Sequence, residues 1–329
     1  MINLNLDVFQ GRKPASRIHV AAGISFCLLA VIACVLVGRR LTSTSWPLQQ
    51  AHFDLVGAAG AAYLASFVLR ALGWQRLFPR GQRPDRTRCL AACGAAAASG
   101  FVLPFRLDYV VKISMMRRLG GVKLGREAII LSIISLGLVD AVAMLPLAIA
   151  AIATSGAIFR APLIVVLLFC LGCIGALTAG SRLLRLPLIS RSERLQAICT
   201  RVSDNAANAR STFAAAGFLF GCWTTRALGN ALLLSALGVG FSPTFALVIL
   251  CMAAAASILP ITAGGAIVSI GATSGVLLAL GVGRAAAVNF SLASGLLLTT
   301  CAVVAAGAGL TGSLALTLQR RRFNRPRFQ

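Results

Sequence analysis

The feature of this sequence that most constrains its fold is a series of apolar stretches without charged residues, several of which approach or exceed 18 residues. A helix needs about 20 predominantly apolar residues to cross the hydrocarbon core of a bilayer. Only 12% of the 329 residues are charged and 58% are hydrophobic, whereas a soluble domain carries about 25% charged residues. The sequence therefore predicts an all-α integral membrane protein, with residues 1–329 forming a single polytopic membrane domain.

The apolar stretches between polar connections predict nine candidate helices. They cover about residues 19–38, 51–73, 88–103, 126–153, 161–180, 212–237, 244–259, 265–282 and 285–314. These lengths are compatible with about seven to nine membrane segments, some of them broken or re-entrant rather than complete spans.

The net charge of +23 comes from basic residues that lie between apolar stretches and at the two chain ends. This placement is typical of cytoplasmic loops under the positive-inside rule and argues against nucleic acid as a partner. It predicts short basic cytoplasmic tails at 1–18 and 318–329 and a cytoplasmic loop at 181–211. Arginine-over-lysine usage and abundant alanine indicate a GC-rich bacterial genome and hence a bacterial plasma membrane. The basic surface should attract anionic lipid headgroups.

Two segments of the chain resemble each other. Residues 93–104 read CGAAAASGFVLP and residues 251–260 read CMAAAASILP. Proline removes a backbone donor from a helix, and glycine loosens the backbone that remains. Non-helical backbone at membrane depth is tolerated only where protein or a water-filled cavity satisfies it, so a paired break indicates a cavity. The helix-break and cavity candidates are Pro104, Pro260, Gly264 and Gly265.

The charge of the neighbouring loops suggests how these breaks are oriented. The segment 105–126 is basic although 88–103 starts on the cytoplasmic side, so a helix that enters, breaks at Pro104 and returns satisfies the positive-inside rule. For 244–282, a re-entrant pair and full spans satisfy it equally. One break then opens from each side of the membrane, as in an inverted repeat. The alternative is chance similarity between alanine-rich segments.

Charged residues inside or next to apolar stretches are the candidates for substrate binding, because ionisable groups at membrane depth are costly and usually functional. Basic groups could bind a lipid phosphate, and the acids could accept an amine or a proton. The predicted ion-pair partners of the acids are the three basic candidates. The alternatives are a structural ion pair for Asp140 and, for Arg106, a side chain that reaches the headgroups. The candidates are Arg106, Asp108, Lys112, Asp140 and Arg226.

The sequence offers no recognisable catalytic set. Its two histidines, His19 and His52, lie near helix ends, which leaves no evident metal cluster or histidine-based triad. Most of the ten cysteines lie inside apolar stretches, where cysteine behaves as a small hydrophobe. We therefore expect no metal, no cofactor and no enzymatic activity, and a membrane-embedded transferase is disfavoured.

The break regions carry a resemblance to a known family. The segments LPFRLDYVVKISMMRRLGGVKLGREA (103–128) and LPITAGGAIVSIGATSGVLLALGVGRAAAV (259–288) resemble two signatures in the transmembrane region of lysylphosphatidylglycerol synthases and their stand-alone relatives, and LGWQRLFP (72–79) is similar to an earlier one. The residues that match these signatures include Pro104, Arg106, Pro260, Gly264 and Gly265, and Asp140 matches the aspartate that ends a further motif of the family. Lys112 stands where the family has arginine, and Asp108, Tyr109, Ser269 and Ile270 depart from the pattern.

The resemblance implies a multi-pass membrane protein, a divergent stand-alone member without the soluble synthase domain. Fused members of that family flip aminoacylated phospholipid. The leading hypothesis is therefore a lipid flippase or transporter that moves a phospholipid or lipid-linked amphiphile between leaflets, through a cavity formed by broken helices. The alternative is a non-transporting accessory or scaffold subunit that partners a membrane enzyme of lipid or glycan biosynthesis.

Overall fold

The computed structural model describes residues 51–102, 107–119, 125–178, 209–258 and 265–323. Within these ranges the regular structure consists of nine α-helices and one short 3₁₀-helix, without strands, which confirms the predicted all-helical class. The helices are α1 (Phe53–Arg76), α2 (Arg86–Val102), α3 (Asp108–Leu119), α4 (Arg126–Thr154), α5 (Ala157–Thr178), α6 (Ala209–Ala236), α7 (Pro243–Ile258), α8 (Gly265–Ala279) and α9 (Arg284–Phe323).

Eight of the nine described helices divide into long apolar helices and short ones; α6 has 28 residues but is not among the helices apolar enough to be candidate spans. Four of those described are long and apolar enough to cross a membrane, namely α1, α4, α5 and the Arg284–Gln319 part of α9. By contrast, α2, α3, α7 and α8 have 17, 12, 16 and 15 residues, which at about 1.5 Å per residue is less than the roughly 30 Å hydrocarbon core. The predicted count of seven to nine membrane segments and the re-entrant geometry stay predictions.

Residues 105–126 were expected to be a basic loop, and this expectation was wrong. Most of the segment forms α3, whose last turn carries the exposed Arg117 and Arg118. Residues four positions apart share one helix face, and on α3 that face buries Lys112 and Met116. Two boundaries also differ from expectation, because α5 begins at Ala157 and α9 continues to Phe323. Part of the predicted C-terminal tail is therefore helical.

Both predicted breaks fall between described helices. Helix α2 ends at Val102 and α3 begins at Asp108, and α7 ends at Ile258 before α8 begins at Gly265. Pro104, Pro260 and Gly264 lie outside the described residues, as do the predicted tail at 1–18 and most of the loop at 181–211. That the prolines themselves end the helices stays a prediction.

The most extensive helix packing joins α1 and α6, and the two helices run antiparallel. At one end the His52 amide donates a hydrogen bond to the Ala236 carbonyl (3.2 Å). At the other end the Ser211 hydroxyl donates to the Arg76 carbonyl (2.6 Å). Two hydrophobic clusters lie towards opposite ends of this pair, one including Ala59 of α1 and the other extending from Ala71 to Phe78.

Helices α2 and α9 form the second extensive contact, which depends on glycine. A Cβ atom added at Gly94 would lie 2.5 Å from the Ala306 nitrogen, and one added at Gly309 would lie 2.4 Å from the Ala91 nitrogen. No side chain fits at either position without moving backbone. Small residues at such crossings let two membrane helices approach closely.

The helix order repeats once along the chain. Helices α1–α4 form a long, short, short, long series of 24, 17, 12 and 29 residues, and α6–α9 follow with 28, 16, 15 and 40. The packing repeats as well. The contact of α1 with α2 corresponds to that of α6 with α7, the contact of α2 with α9 to that of α7 with α4, and the contact of α4 with α6 to that of α9 with α1. The equivalent helices α1 and α6 are antiparallel, which is the relation expected between the halves of an inverted repeat.

Candidate functional site

A cavity of about 980 Å³ lies between the two hydrophobic clusters. Each of the nine described helices contributes to its lining, which is mostly apolar but includes charged and hydroxyl side chains. Ligand pockets in proteins commonly measure about 300–1,000 Å³, so this cavity has the size of a large ligand pocket.

Four of the five predicted binding residues line this cavity, and the fifth, Arg106, lies outside the described residues. They come from three helices, α3, α4 and α6, that are far apart in sequence. The four are Asp108, Lys112, Asp140 and Arg226.

The two alanine-rich segments that precede the breaks also reach the cavity. Ala96 and Ala97 of α2 line it, as do Ala253 and Ala254 of α7. Gly265, one of the predicted helix-break residues, is the first residue of α8. The two segments that resemble each other in sequence therefore share one cavity.

Asp140 forms an ion pair with a residue that the sequence analysis did not consider. Its carboxylate accepts a hydrogen bond from Arg70 Nη2 at 2.7 Å and another from Trp223 Nε1 at 2.7 Å. The expectation of Lys112 or Arg226 as the partner was wrong, because the packing of α1 against α4 places Arg70 next to the carboxylate. Arg106 lies outside the described residues. The ion pair connects α1 with α4, and the hydrogen bond from the Trp223 indole connects α6 to the same carboxylate.

Lys112 is buried, and its ammonium group lies 4.3 Å from the centroid of the Trp74 ring. A cation over an aromatic face is stabilised by the ring quadrupole. Asp108 lies one turn earlier on α3 and is half-buried beside Gly100 of α2. Helix α3 thus brings one acid and one base to the cavity.

Arg226 has different surroundings from Arg70. Its Nε donates a hydrogen bond to Ser66 Oγ (3.2 Å), and its guanidinium lies 5.4 Å from the ring centroids of both Phe67 and Trp223. In the described part of the chain no carboxylate forms an ion pair with it.

The sequence contains a second repeated motif, which the sequence analysis missed. Arg70–Gly73 and Arg226–Gly229 both read Arg-Ala-Leu-Gly, and an aromatic residue, Phe67 or Trp223, stands three positions before each arginine. The signal was available, since each motif places an arginine inside an otherwise apolar helix. The motifs lie in α1 and α6, the equivalent helices of the two halves.

The contacts made by the two motifs cross between the halves. Arg70 lies 5.8 Å from the centroid of the Trp223 ring, and Arg226 lies 5.4 Å from that of Phe67. Each arginine therefore contacts the aromatic residue that belongs to the other motif. This exchange is the contact pattern of an approximate two-fold axis passing between α1 and α6.

The glycines of the two motifs follow the same exchange. A Cβ atom added at Gly73 would lie 3.0 Å from the side chain of Leu219, and one added at Gly229 would lie 2.9 Å from that of Tyr63. When the motifs are aligned, Leu219 occupies the position equivalent to Tyr63. The glycine contacts between α1 and α6 are therefore related by the same approximate two-fold symmetry as the arginine contacts.

The described residues contain no group of three or more histidine, cysteine or acidic side chains that could hold a metal ion. The described cysteines are free and buried; they are Cys89, Cys93, Cys170, Cys173, Cys222, Cys251 and Cys301. Cys93, Cys170 and Cys173 are in the cavity lining, where they add to its apolar surface.

The fold and the cavity define a class, that of helical membrane proteins with a cavity that carries charged side chains. Residues 18–307 match the family model described as the lysylphosphatidylglycerol synthase TM region. Because the match covers most of the chain, the protein belongs to this family, and the resemblance in the break regions is confirmed. No curated protein and no solved structure shows a significant match to the chain. Membership indicates a membrane protein of lipid metabolism or transport.

Proposed function

We propose that this protein moves a phospholipid or a lipid-linked amphiphile between the leaflets of a membrane, without changing it chemically. The observation that carries the proposal is the cavity of about 980 Å³ that every described helix lines and that combines charged with apolar side chains. An amphiphile needs both kinds of surface, because its headgroup loses water inside the membrane while its chains remain apolar.

The charges in the cavity support a role in headgroup binding. An ionisable residue in a membrane protein usually faces a cavity and a partner, because its burial in hydrocarbon is costly. Asp140 and Arg70 form such a pair at the cavity wall, and Lys112 and Arg226 add cations that could bind a phosphate. Arg106 remains part of the proposed site on the strength of the family signature.

The repeated helix order supports transport through alternating access. Interrupted helices that meet between two inverted halves commonly form the substrate site of a transporter. Here the short pairs α2–α3 and α7–α8 both border the cavity. We propose that they are re-entrant, that they enter from opposite sides of a bacterial plasma membrane, and that both chain termini are cytoplasmic.

A lipid-scrambling assay tests the proposal. The purified protein is reconstituted in liposomes that contain a headgroup-labelled fluorescent phospholipid, and a membrane-impermeant reductant then bleaches the label. In protein-free liposomes only the outer-leaflet label, about half of the total, should be lost. We expect the active protein to bring most of the remaining label into reach of the reductant.

Two tryptophan substitutions provide a matched comparison for this assay. A Cβ atom added at Gly137 or at Gly172 would meet nothing within 4 Å, but only Gly137 lines the cavity. Gly137→Trp should fill the cavity and stop transport, whereas Gly172→Trp on α5 should remain active. If liposomes with folded wild-type protein lose no more label than protein-free liposomes, the result contradicts transport and favours the accessory or scaffold role.

A further inference from the structure

Arg70 and Arg226 occupy equivalent positions in the two motifs, but only one of them has a carboxylate as counter-ion. Arg70 is neutralised by Asp140 at 2.7 Å. In the described part of the chain, Arg226 forms no such pair, although its ring contacts mirror those of Arg70. The symmetry of the packing is therefore broken at one carboxylate.

When α4 and α9 are aligned by their first residues, Arg126 and Arg284, Leu298 stands at the position of Asp140. Helix α4 reads Gly137-Leu-Val-Asp140 and helix α9 reads Gly295-Leu-Leu-Leu298. Gly137, Asp140, Gly295 and Leu298 all line the cavity, so the two segments face the same space. The half that supplies Arg226 has an apolar side chain where its twin has an acid.

This difference leaves the described lining with one positive charge in excess. The cations are Arg70, Lys112 and Arg226, and the carboxylates are Asp108 and Asp140. Arg70 pairs with Asp140, whereas Lys112 and Arg226 form no ion pair in the described residues. Of these two cations, Lys112 lies 4.3 Å from the centroid of the Trp74 ring, and Arg226 is the arginine whose charge is not neutralised.

We propose that Arg226 binds a single phosphate-type oxyanion in the cavity, and that Asp140 prevents its twin Arg70 from binding a second one. A guanidinium is suited to this role because its planar donors match the oxygens of a phosphate. Ser66 and the rings of Phe67 and Trp223 fix the orientation of Arg226. If the proposed transport function holds, the anion is the phosphodiester of a lipid that carries one net negative charge.

The first test measures binding in detergent, where no transport takes place. Isothermal titration uses dihexanoyl phosphatidylglycerol as the anionic phosphodiester, dihexanoyl phosphatidylcholine as the zwitterionic one, and inorganic phosphate. We expect phosphatidylglycerol to bind with a stoichiometry of one. If inorganic phosphate binds and the lipid does not, the oxyanion site is supported, but the proposal that a lipid supplies the anion is contradicted.

Variants at the symmetric positions decide whether Arg226 is the binding group. Arg226→Gln should weaken phosphatidylglycerol binding by about tenfold or more, the usual effect of losing a charge-assisted hydrogen bond. Leu298→Asp should weaken it similarly by supplying the missing counter-ion, while Leu298→Asn should not. Asp140→Asn should strengthen binding or add a second site, because it releases Arg70. Arg160→Gln, at an exposed arginine on α5, is the control.

The outcomes separate this inference from the proposed function. Unchanged binding by folded Arg226→Gln would overturn the anion site even if the wild-type protein transports lipid. The expected binding pattern together with no transport in liposomes would keep the anion site and contradict the transport function. If Leu298→Asp does not fold, Arg226→Gln and Asp140→Asn still test the site from opposite directions.

Discussion

The two halves of this molecule share their packing but differ in their chemistry. Helices α1–α4 and α6–α9 have the same order and matching contacts, and the glycines at equivalent positions, Gly73 and Gly229, both let α1 and α6 approach. The first half contributes Asp140 to the cavity, and the second half has Leu298 there. The backbone arrangement is thus maintained by small and apolar residues, while the polar side chains are where the halves differ.

The same contrast occurs along the α1–α6 interface itself. Near one end the Tyr63 hydroxyl donates a hydrogen bond to the Asn230 side chain. At the equivalent place near the other end, Trp74 and Leu219 belong to one apolar cluster. An approximate two-fold axis therefore relates a hydrogen-bonded contact to a hydrophobic one.

The largest effect should come from breaking the contact between α2 and α9. This contact depends on glycine, whereas the equivalent contact between α4 and α7 packs larger side chains such as Leu147 and Leu250. Gly309→Leu would place a Cβ atom 2.4 Å from the Ala91 nitrogen. We expect a loss of about 3 kcal/mol or more from overpacking, measured by thermal unfolding in detergent. Gly307→Leu, two residues away, is the control, because a Cβ atom there meets nothing within 4 Å. Equal stability of both variants would contradict the tight crossing.

The two arginines of the repeated motif should differ in their contribution to stability. Arg70→Gln leaves the Asp140 carboxylate without its counter-ion and should cost about 2–3 kcal/mol, somewhat less than for a fully buried pair. Arg226→Gln removes no ion pair seen in the described residues, so we expect a loss of about 1 kcal/mol or less. The measurement is the unfolding free energy of each variant in the same detergent.

A double variant tests the same assignment. Arg70→Gln combined with Asp140→Asn should recover part of the stability that Arg70→Gln loses, because the unpaired charge is gone. The two single losses would simply add if Arg70 and Asp140 acted independently. Larger destabilisation by Arg226→Gln than by Arg70→Gln would reverse the asymmetry described here.

A similarly small effect is expected at the hydrogen-bonded end of the α1–α6 interface. Tyr63→Phe removes the hydroxyl that bonds to Asn230 and should cost about 1 kcal/mol, the usual net value of such a bond. Thr224→Val is the control, because that exposed hydroxyl bonds only within its own helix in the described structure. If the two variants are equally stable, the Tyr63–Asn230 contact does not stabilise the interface.

The class of the fold could be predicted from sequence because uncharged apolar stretches have few alternatives to membrane helices. The cavity residues Asp140 and Arg226 were also predictable, since charges are conspicuous in such stretches. The partner of Asp140 was not predictable, because Arg70 becomes its neighbour only through the packing of α1 against α4. Helix α3 was missed because the basic composition of 105–126 obscured the face that buries Lys112 and Met116.

The inverted arrangement of the two halves is the central claim, and site-directed labelling tests it most directly. Gln82 follows α1 and Phe241 follows the equivalent helix α6, and both are exposed. In a cysteine-free background, single cysteines at these positions are treated with a membrane-impermeant maleimide in intact cells and again after permeabilisation. The inverted repeat predicts that position 241 reacts from outside and position 82 only after permeabilisation. Labelling of both positions from the same side of the membrane would contradict it.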